Sequence, residues 1–312
     1  MNSSIAFVAD IDSEEANSWL GHFARLMPET PVVPFDALAD LEAVEVAIVA
    51  NPRPADLLKL PNLKWIQSLW AGVEGILKEP SLDHIPLVRM TDPNLAETMA
   101  EAVLAWTLYL HRDMPAYAQQ QKEAIWKQMP FTRASSRTVG ILGLGKLGLA
   151  AATVLKAAGF NAVGWSRSLK TIDGVQTFAG RDGLTEMLDQ TDILVCLLPH
   201  TLETRNLLDA EAFTTLKKGG SLINFGRGAI VDHEALIDAL DSGHMNHAVL
   251  DVFRQEPLPA KNALWQHPHI TVLPHISAPT DPVSASQLVV MNMRHYQNDG
   301  SMPVTVNRQT GY

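Results

Sequence analysis

Short apolar runs closed off by turn residues alternate with helix-period stretches along nearly the whole chain, the pattern that parallel sheets with crossover helices require. The runs Ile5 to Ala9, Val44 to Val49, Trp65 to Leu69 and Leu87 to Met90 predict the strands of a first sheet. Ala16, Leu20, Phe23 and Met27 mark the apolar face of a helix between the first two. From Glu97 to Gln119 the spacing predicts one long helix, rich in Ala, Leu, Trp and Tyr and too apolar for a wet surface, leading to a second sheet. That sheet starts at Thr138-Val139-Gly140-Ile141-Leu142, after a polar stretch carrying Trp126. Its further strands are expected at Asn161 to Trp165, Asp192 to Leu198, Ser221 to Phe225, His247 to Val252 and Ile270 to Leu273. Pro279 and Pro282 are expected to break regular structure, and a helix from Ser284 to Gln297 then returns to the first domain. The chain thus reads as a discontinuous domain, residues 1–97 plus 284–312, and a second domain, residues 98–283.

Length and composition agree with two packed cores. A chain of 312 residues outgrows a single core of ordinary size, and 46% hydrophobic with 19% charged residues leaves no tract too polar to fold. The net charge of -10 provides no basic field for nucleic acid. The lone cysteine, Cys196, lies inside the apolar run Ile193 to Leu198 and reads as an inert core thiol. The start, Met1 to Val8, has no basic leader and reads as a first strand, and no run approaches the ~18 apolar residues of a membrane span. A cytoplasmic location without membrane contact is the expectation.

The first chemical signal is Gly143-Leu144-Gly145-Lys146-Leu147-Gly148, a G-x-G-x-x-G between a predicted strand and a predicted helix. The first glycine permits the tight turn and the second lets the main chain approach a pyrophosphate. The third lets helix and strand pack closely, while the helix N-terminus faces the negative charge. Lys146 is followed by Leu147, so the hydroxyl of a magnesium-binding phosphate loop is missing. His111-Arg112-Asp113 spells a kinase-like triplet without its partners and reads as a helix end. The fold class expected is α/β, two Rossmann-like or flavodoxin-like doubly wound parallel-sheet domains with a cleft between them.

An NAD-specific site usually presents a carboxylate about 20 residues past the loop. Here that strand ends in Trp165-Ser166-Arg167-Ser168, with Lys170 behind it. A guanidinium, an ammonium and two hydroxyls suit a 2′-phosphate, so NADPH is expected over NADH; the alternative is a solvated basic turn.

Three polar residues follow predicted strands of the second sheet: Arg227 in Ile223-Asn224-Phe225-Gly226-Arg227-Gly228, Glu256 in Asp251-Val252-Phe253-Arg254-Gln255-Glu256-Pro257, and His275 in Leu273-Pro274-His275-Ile276-Ser277. In this order after a dinucleotide loop, the set resembles the D-isomer-specific 2-hydroxyacid dehydrogenases, and within them the glyoxylate/hydroxypyruvate reductase A group. The resemblance runs through Gln67-Ser68-Leu69-Trp70-Ala71-Gly72-Val73-Glu74 and the ending Arg308-Gln309-Thr310-Gly311-Tyr312.

By that resemblance Arg227 clamps the substrate carboxylate and polarises the keto oxygen, His275 is the general acid, and Glu256 holds the imidazole and favours its protonated form. It also implies that backbone amides of Ala71, Gly72 and Val73 face the carboxylate and that Asp251 meets the nicotinamide carboxamide. Further expected cofactor contacts are Leu198, Pro199, Thr204, Phe225, Gly226 and Ser277, beside Arg227 and His275 themselves. Trp70 stands where many relatives carry glycine, so its indole either walls the pocket against longer substrates or packs in the first domain's core. No metal is expected, since His267 and His269 lack ligand spacing.

The resemblance implies NADPH-dependent reduction of short 2-keto acids, glyoxylate to glycolate and hydroxypyruvate to D-glycerate. Alternatives are an NAD-linked phosphoglycerate or D-lactate dehydrogenase, or a dinucleotide-sensing regulator without turnover. A formate dehydrogenase fits less well because it relies on Gln in place of Glu256. A homodimer is implied as well, with Trp106, Tyr109 and Trp126 as contact candidates.

Overall fold

The computed structural model describes residues 4–308, so the ending Gln309 to Tyr312 lies outside the described residues. The chain divides into one unit formed by residues up to Leu95 together with those from Thr280 onward, and a second, Ala96–Pro279.

The first unit carries a five-stranded parallel sheet of β1 (Ile5–Ala9), β2 (Val32–Pro34), β3 (Val46–Ala50), β4 (Trp65–Ser68) and β5 (Leu87–Val88), in the order β2-β1-β3-β4-β5. The central strands are apolar on both faces because helices cover both, as parallel sheets require. Helix Ser13–Leu26 is started by Asp12, whose carboxylate accepts from the amides of Glu14 and Glu15 at 3.0 and 2.9 Å. Its Trp19 and Phe23 pack on the sheet beside Val289 and Met293 of helix Pro282–Asp299. Pro282 does not break that helix. It occupies the first helical turn, where its missing N–H costs nothing, with Asp281 as the cap.

The second unit holds a seven-stranded parallel sheet of β6 (Thr138–Leu142), β7 (Asn161–Ser166), β8 (Gln176–Ala179), β9 (Ile193–Cys196), β10 (Gly220–Asn224), β11 (Met245–Leu250) and β12 (Ile270–Val272). The order is β12-β11-β10-β9-β6-β7-β8, which reverses direction between β6 and β9. The expected single long helix is two: Pro93–His111 and Met114–Lys122, with Asp113 between them in the left-handed region at φ 55°. Pro115 inside the next turn removes the N–H that a continuous helix would need. His111 is the last residue of its helix, as its triplet suggested. Among the described residues no helix is long and apolar enough to cross a membrane.

One buried histidine ties stability to pH. His247 on β11 is 3% exposed, with Nε2 2.9 Å from the Thr271 hydroxyl and no partner for Nδ1. Burial, helped by nearby His269 and His267, pushes its pKa down to about 4. A depressed imidazole contributes fully above its ordinary value of 6.5 and loses that contribution as pH falls toward 4. Urea denaturation at pH 7 and at pH 4 should therefore show an acid loss smaller by about 2–3 kcal/mol in His247→Gln than in the wild type.

Candidate active site

Loops leaving strand ends of the second sheet carry the glycine turn, Arg227, Glu256 and His275. Gly143, directly after β6, adopts φ 101°, and its amide donates to Trp165 O at 2.9 Å, fixing the glycine turn beside the end of β7. A Cβ on Gly148 would lie 1.9 Å from Gly143 O, so only glycine lets helix Lys146–Ala157 rise this close to the turn. A Cβ on Gly145 would meet nothing within 4 Å, and no side chain caps the helix. The turn therefore leaves open space before uncapped helical amides at Lys146 and Leu147, a cradle that fits a pyrophosphate.

The flanking loops complete the cradle. Leu198 and Pro199 follow β9, and Leu198 Cδ2 stands 3.3 Å from the position a Gly143 Cβ would take. The Thr204 hydroxyl donates to Pro199 O at 2.7 Å and accepts from the Thr201 amide at 2.7 Å. Thr201 was missed in the sequence, although Thr201 and Thr204, three apart beside a proline, are the mark of a hydroxyl-capped turn. At the end of β7, Ser166 is buried and its hydroxyl donates to Ser168 O at 2.8 Å, while Arg167, Ser168 and Lys170 are exposed. The Thr201 hydroxyl first, then Glu203's own amide, hold the Glu203 carboxyl below its usual range; the nearby positive charge of Arg167 adds to this.

The polar trio sits at neighbouring strand ends. Phe225 and Gly226 leave β10 buried, with the Phe225 amide donating to Cys196 O at 3.0 Å. Arg227 follows in extended backbone, half-buried, its Nη1 donating to Gly226 O at 2.7 Å. A Cβ on Gly228 would fall 2.0 Å from the carbonyl carbon of Phe253, so the Arg227 loop lies flat against the loop after β11. In that loop the Phe253 amide donates to Glu256 Oε1 at 2.7 Å, and Glu256 Oε2 accepts from His275 Nδ1 at 2.8 Å. His275 sits at φ 56°, a conformation that costs a non-glycine residue of order 1–3 kcal/mol and persists only where its surroundings enforce it.

The charges are matched. The Glu256 hydrogen bond is the main influence on His275; with Glu256's charge and a smaller push from Asp251 it raises the imidazole's pKa over the opposition of burial and of the nearby Arg227 guanidinium. Burial pulls the Glu256 pKa upward but is outweighed by the His275 bond and the Phe253 amide, so the carboxyl ends below its ordinary value. Arg227 is close enough to act on both members of the pair.

A guanidinium beside a carboxylate-braced imidazole, next to a dinucleotide cradle on one sheet, matches a known family. Residues 104–277 match the model of the D-isomer specific 2-hydroxyacid dehydrogenase NAD-binding domain. A glyoxylate/hydroxypyruvate reductase A from Enterobacter sp. (strain 638) is 35% identical over 300 residues, covering 94% of this chain and 96% of that protein. The chain belongs to the D-isomer specific 2-hydroxyacid dehydrogenases. Like other members of this family, it is an NAD(P)-dependent oxidoreductase. A dehydrogenase of the family from Xanthobacter autotrophicus Py2, solved with NADPH and MES, superposes with a TM-score of 0.93 at 35% identity, covering 100% of both chains. An NADPH-dependent glyoxylate/hydroxypyruvate reductase from Sinorhizobium meliloti, solved with NADP and sulfate, gives 0.92 at 33% identity, covering 99% of this chain and 100% of that one.

The other expected site residues of this dehydrogenase lie elsewhere on the chain. Trp70, Ala71, Gly72 and Val73 follow β4 in the first unit, where the Trp70 amide donates to the Ser68 hydroxyl at 3.0 Å. The Trp70 ring meets Trp19 edge-on at 6.0 Å and packs on that unit's core. Among the described residues no cluster of His, Cys, Asp or Glu could hold a metal ion.

A raised imidazole pKa stabilises the fold fully below the ordinary 6.5 and loses that contribution as pH rises through the folded value. An NMR titration of the ring protons should place His275 above 6.5 in the wild type and lower in Glu256→Gln. A His275 value unmoved by that substitution would mean that the carboxylate does not brace the ring.

Proposed function

We propose that this dehydrogenase reduces short 2-keto acids with NADPH, glyoxylate to glycolate and hydroxypyruvate to D-glycerate. The observation that carries the reading is the His275–Glu256 pair at 2.8 Å, held beside Arg227 at the strand ends of the sheet that bears the glycine turn. The reduced nicotinamide supplies the hydride when bound. Arg227 takes the substrate carboxylate in its planar fork and draws electron density from the keto oxygen. His275 uses Nδ1 for Glu256, which leaves Nε2 to hand its proton to the keto oxygen as the carbonyl becomes an alcohol. Its side chain is 53% exposed, so water can return the proton between turnovers.

The preference for NADPH over NADH rests on Arg167, Ser168 and Lys170, which are exposed around the end of β7, and on the absence of a carboxylate at that strand end. The relatives solved with NADPH or NADP support it. The family likeness assigns Ala71, Gly72 and Val73 to the substrate acid, while Trp70 packs on Trp19 against the core of the first unit. The same reading takes the protein as a homodimer, with the fully exposed Trp126 as a contact.

Steady-state rates with glyoxylate test the roles separately. Arg167→Ala should raise KM for NADPH by about tenfold or more, the scale of one charge-assisted contact, and leave NADH nearly unchanged. Equal losses with both cofactors would remove Arg167 from the 2′-phosphate. His275→Ala should lower kcat about 10²–10⁴-fold with NADPH binding intact; retained turnover would remove His275 as the proton donor.

A further inference from the structure

The strained backbone of His275 needs an anchor, and the structure holds one outside the Arg227, Glu256 and His275 set. Asp251, directly after β11, is 2% exposed, and its own amide donates to Asn224 O at 3.1 Å, so its backbone is part of the sheet. Its Oδ1 accepts from the Ile276 amide at 2.7 Å and its Oδ2 from the Ser277 amide at 2.9 Å. These are the two peptide groups that follow His275 in the chain. The loop itself is open: Pro274, His275 and Ile276 are exposed, and Ser277 alone is buried.

We propose that Asp251 is a positioning residue for the proton donor: its buried carboxylate grips both amides after His275, keeps that residue in the left-handed conformation, and so sets the imidazole against Glu256. The inference rests on the reading of His275 as general acid. A histidine at φ 56° would relax to a commoner region in a free loop, and relaxation would swing Nδ1 away from Glu256 Oε2. Two short bonds from one rigid carboxylate, each to a consecutive amide, leave the peptide planes after His275 no freedom to turn. The imidazole is then held from two sides. Asp251 fixes its backbone from the end of β11, and Glu256, anchored on the Phe253 amide, fixes its ring.

The charged groups facing His275 are Glu256 from the loop after β11, Asp251 from that strand's end and Arg227 from the loop after β10. Asp251 adds to the upward shift of the His275 pKa, behind the Glu256 bond and charge, while Arg227 opposes it. Asn at position 251 keeps the shape but offers one acceptor and an NH₂ donor, so one of the two amides would face another donor.

This role and the cofactor contact implied by family likeness give opposite kinetics. With full-length protein, glyoxylate and NADPH, Asp251→Asn should lower kcat about 10–100-fold, the cost of misplacing a reacting group by about 1 Å. The alkaline limb of the kcat/KM profile should move to lower pH, and the NADPH Kd from fluorescence titration should stay within about threefold. An NADPH Kd raised tenfold with kcat and the limb unmoved would assign Asp251 to the cofactor and overturn the proposal. A lower kcat with the limb unmoved would overturn it too. Hydrogen exchange on the wild type removes dependence on the variant's folding: the amides of Ile276 and Ser277 should be protected although the loop is exposed, and exchange at open-loop rates would refute the grip. His275→Ala, run alongside, separates the two readings. If it retains turnover the general-acid reading fails; if it is inactive while Asp251→Asn behaves as wild type, only the positioning role fails.

Discussion

The hydrogen bond between His275 and Glu256 is the interaction on which the proposed chemistry of this chain depends. An imidazole alone in an exposed loop would titrate near neutrality and turn freely, too weakly protonated and too loosely aimed to deliver a proton to one oxygen. Bonded to a carboxylate at 2.8 Å it keeps its proton to higher pH, against the opposing charge of nearby Arg227, and points Nε2 in a fixed direction. Glu256, anchored on the Phe253 amide, supplies the negative charge that offsets the effect of Arg227 on the imidazole.

The parallel sheet makes that arrangement rigid. All strands of the second unit run the same way, so their C-terminal ends lie on one edge, and the loops after β6, β7, β9, β10 and β11 meet there over short distances. Glycine controls how near they come. Gly148 against Gly143, Gly226 against Leu198 and Gly228 against Phe253 are all positions where a Cβ would strike backbone within 3 Å. The glycine turn after β6 and the loops that carry Arg227 and Glu256 are therefore parts of one packed edge.

Much of this was legible along the chain. The central strands β1, β3, β4, β6, β9, β10 and β11 announce themselves because burial on both faces demands unbroken apolar runs, and the site motifs follow those runs directly. The edge strands β2 and β8 were not foreseen: Val32–Pro34 is three residues with a proline, and Gln176–Ala179 is half solvated, so neither carries an apolar signature. Asp113 breaks the long apolar helix through its backbone angle, which periodicity does not record, and Pro282 starts a helix because a capping aspartate precedes it. At the site, residue types showed which groups could act, but not the left-handed turn at His275 or the carboxylate that grips it. The bonds from Ile276 and Ser277 to Asp251 join residues distant in sequence that only the fold brings together.

In the proposed reaction Arg227 and His275 share one keto acid, the guanidinium on its carboxylate and the imidazole on its keto oxygen. A crystal structure of the protein with NADP and oxamate, an unreactive amide analogue of a 2-keto acid, tests it most directly. The oxamate carboxylate should lie on Arg227 and the amide carbonyl oxygen within ~2.6–3.2 Å of His275 Nε2, with Nδ1 still on Glu256. Oxamate bound through its carboxylate to His275, or lying clear of both side chains, would contradict it.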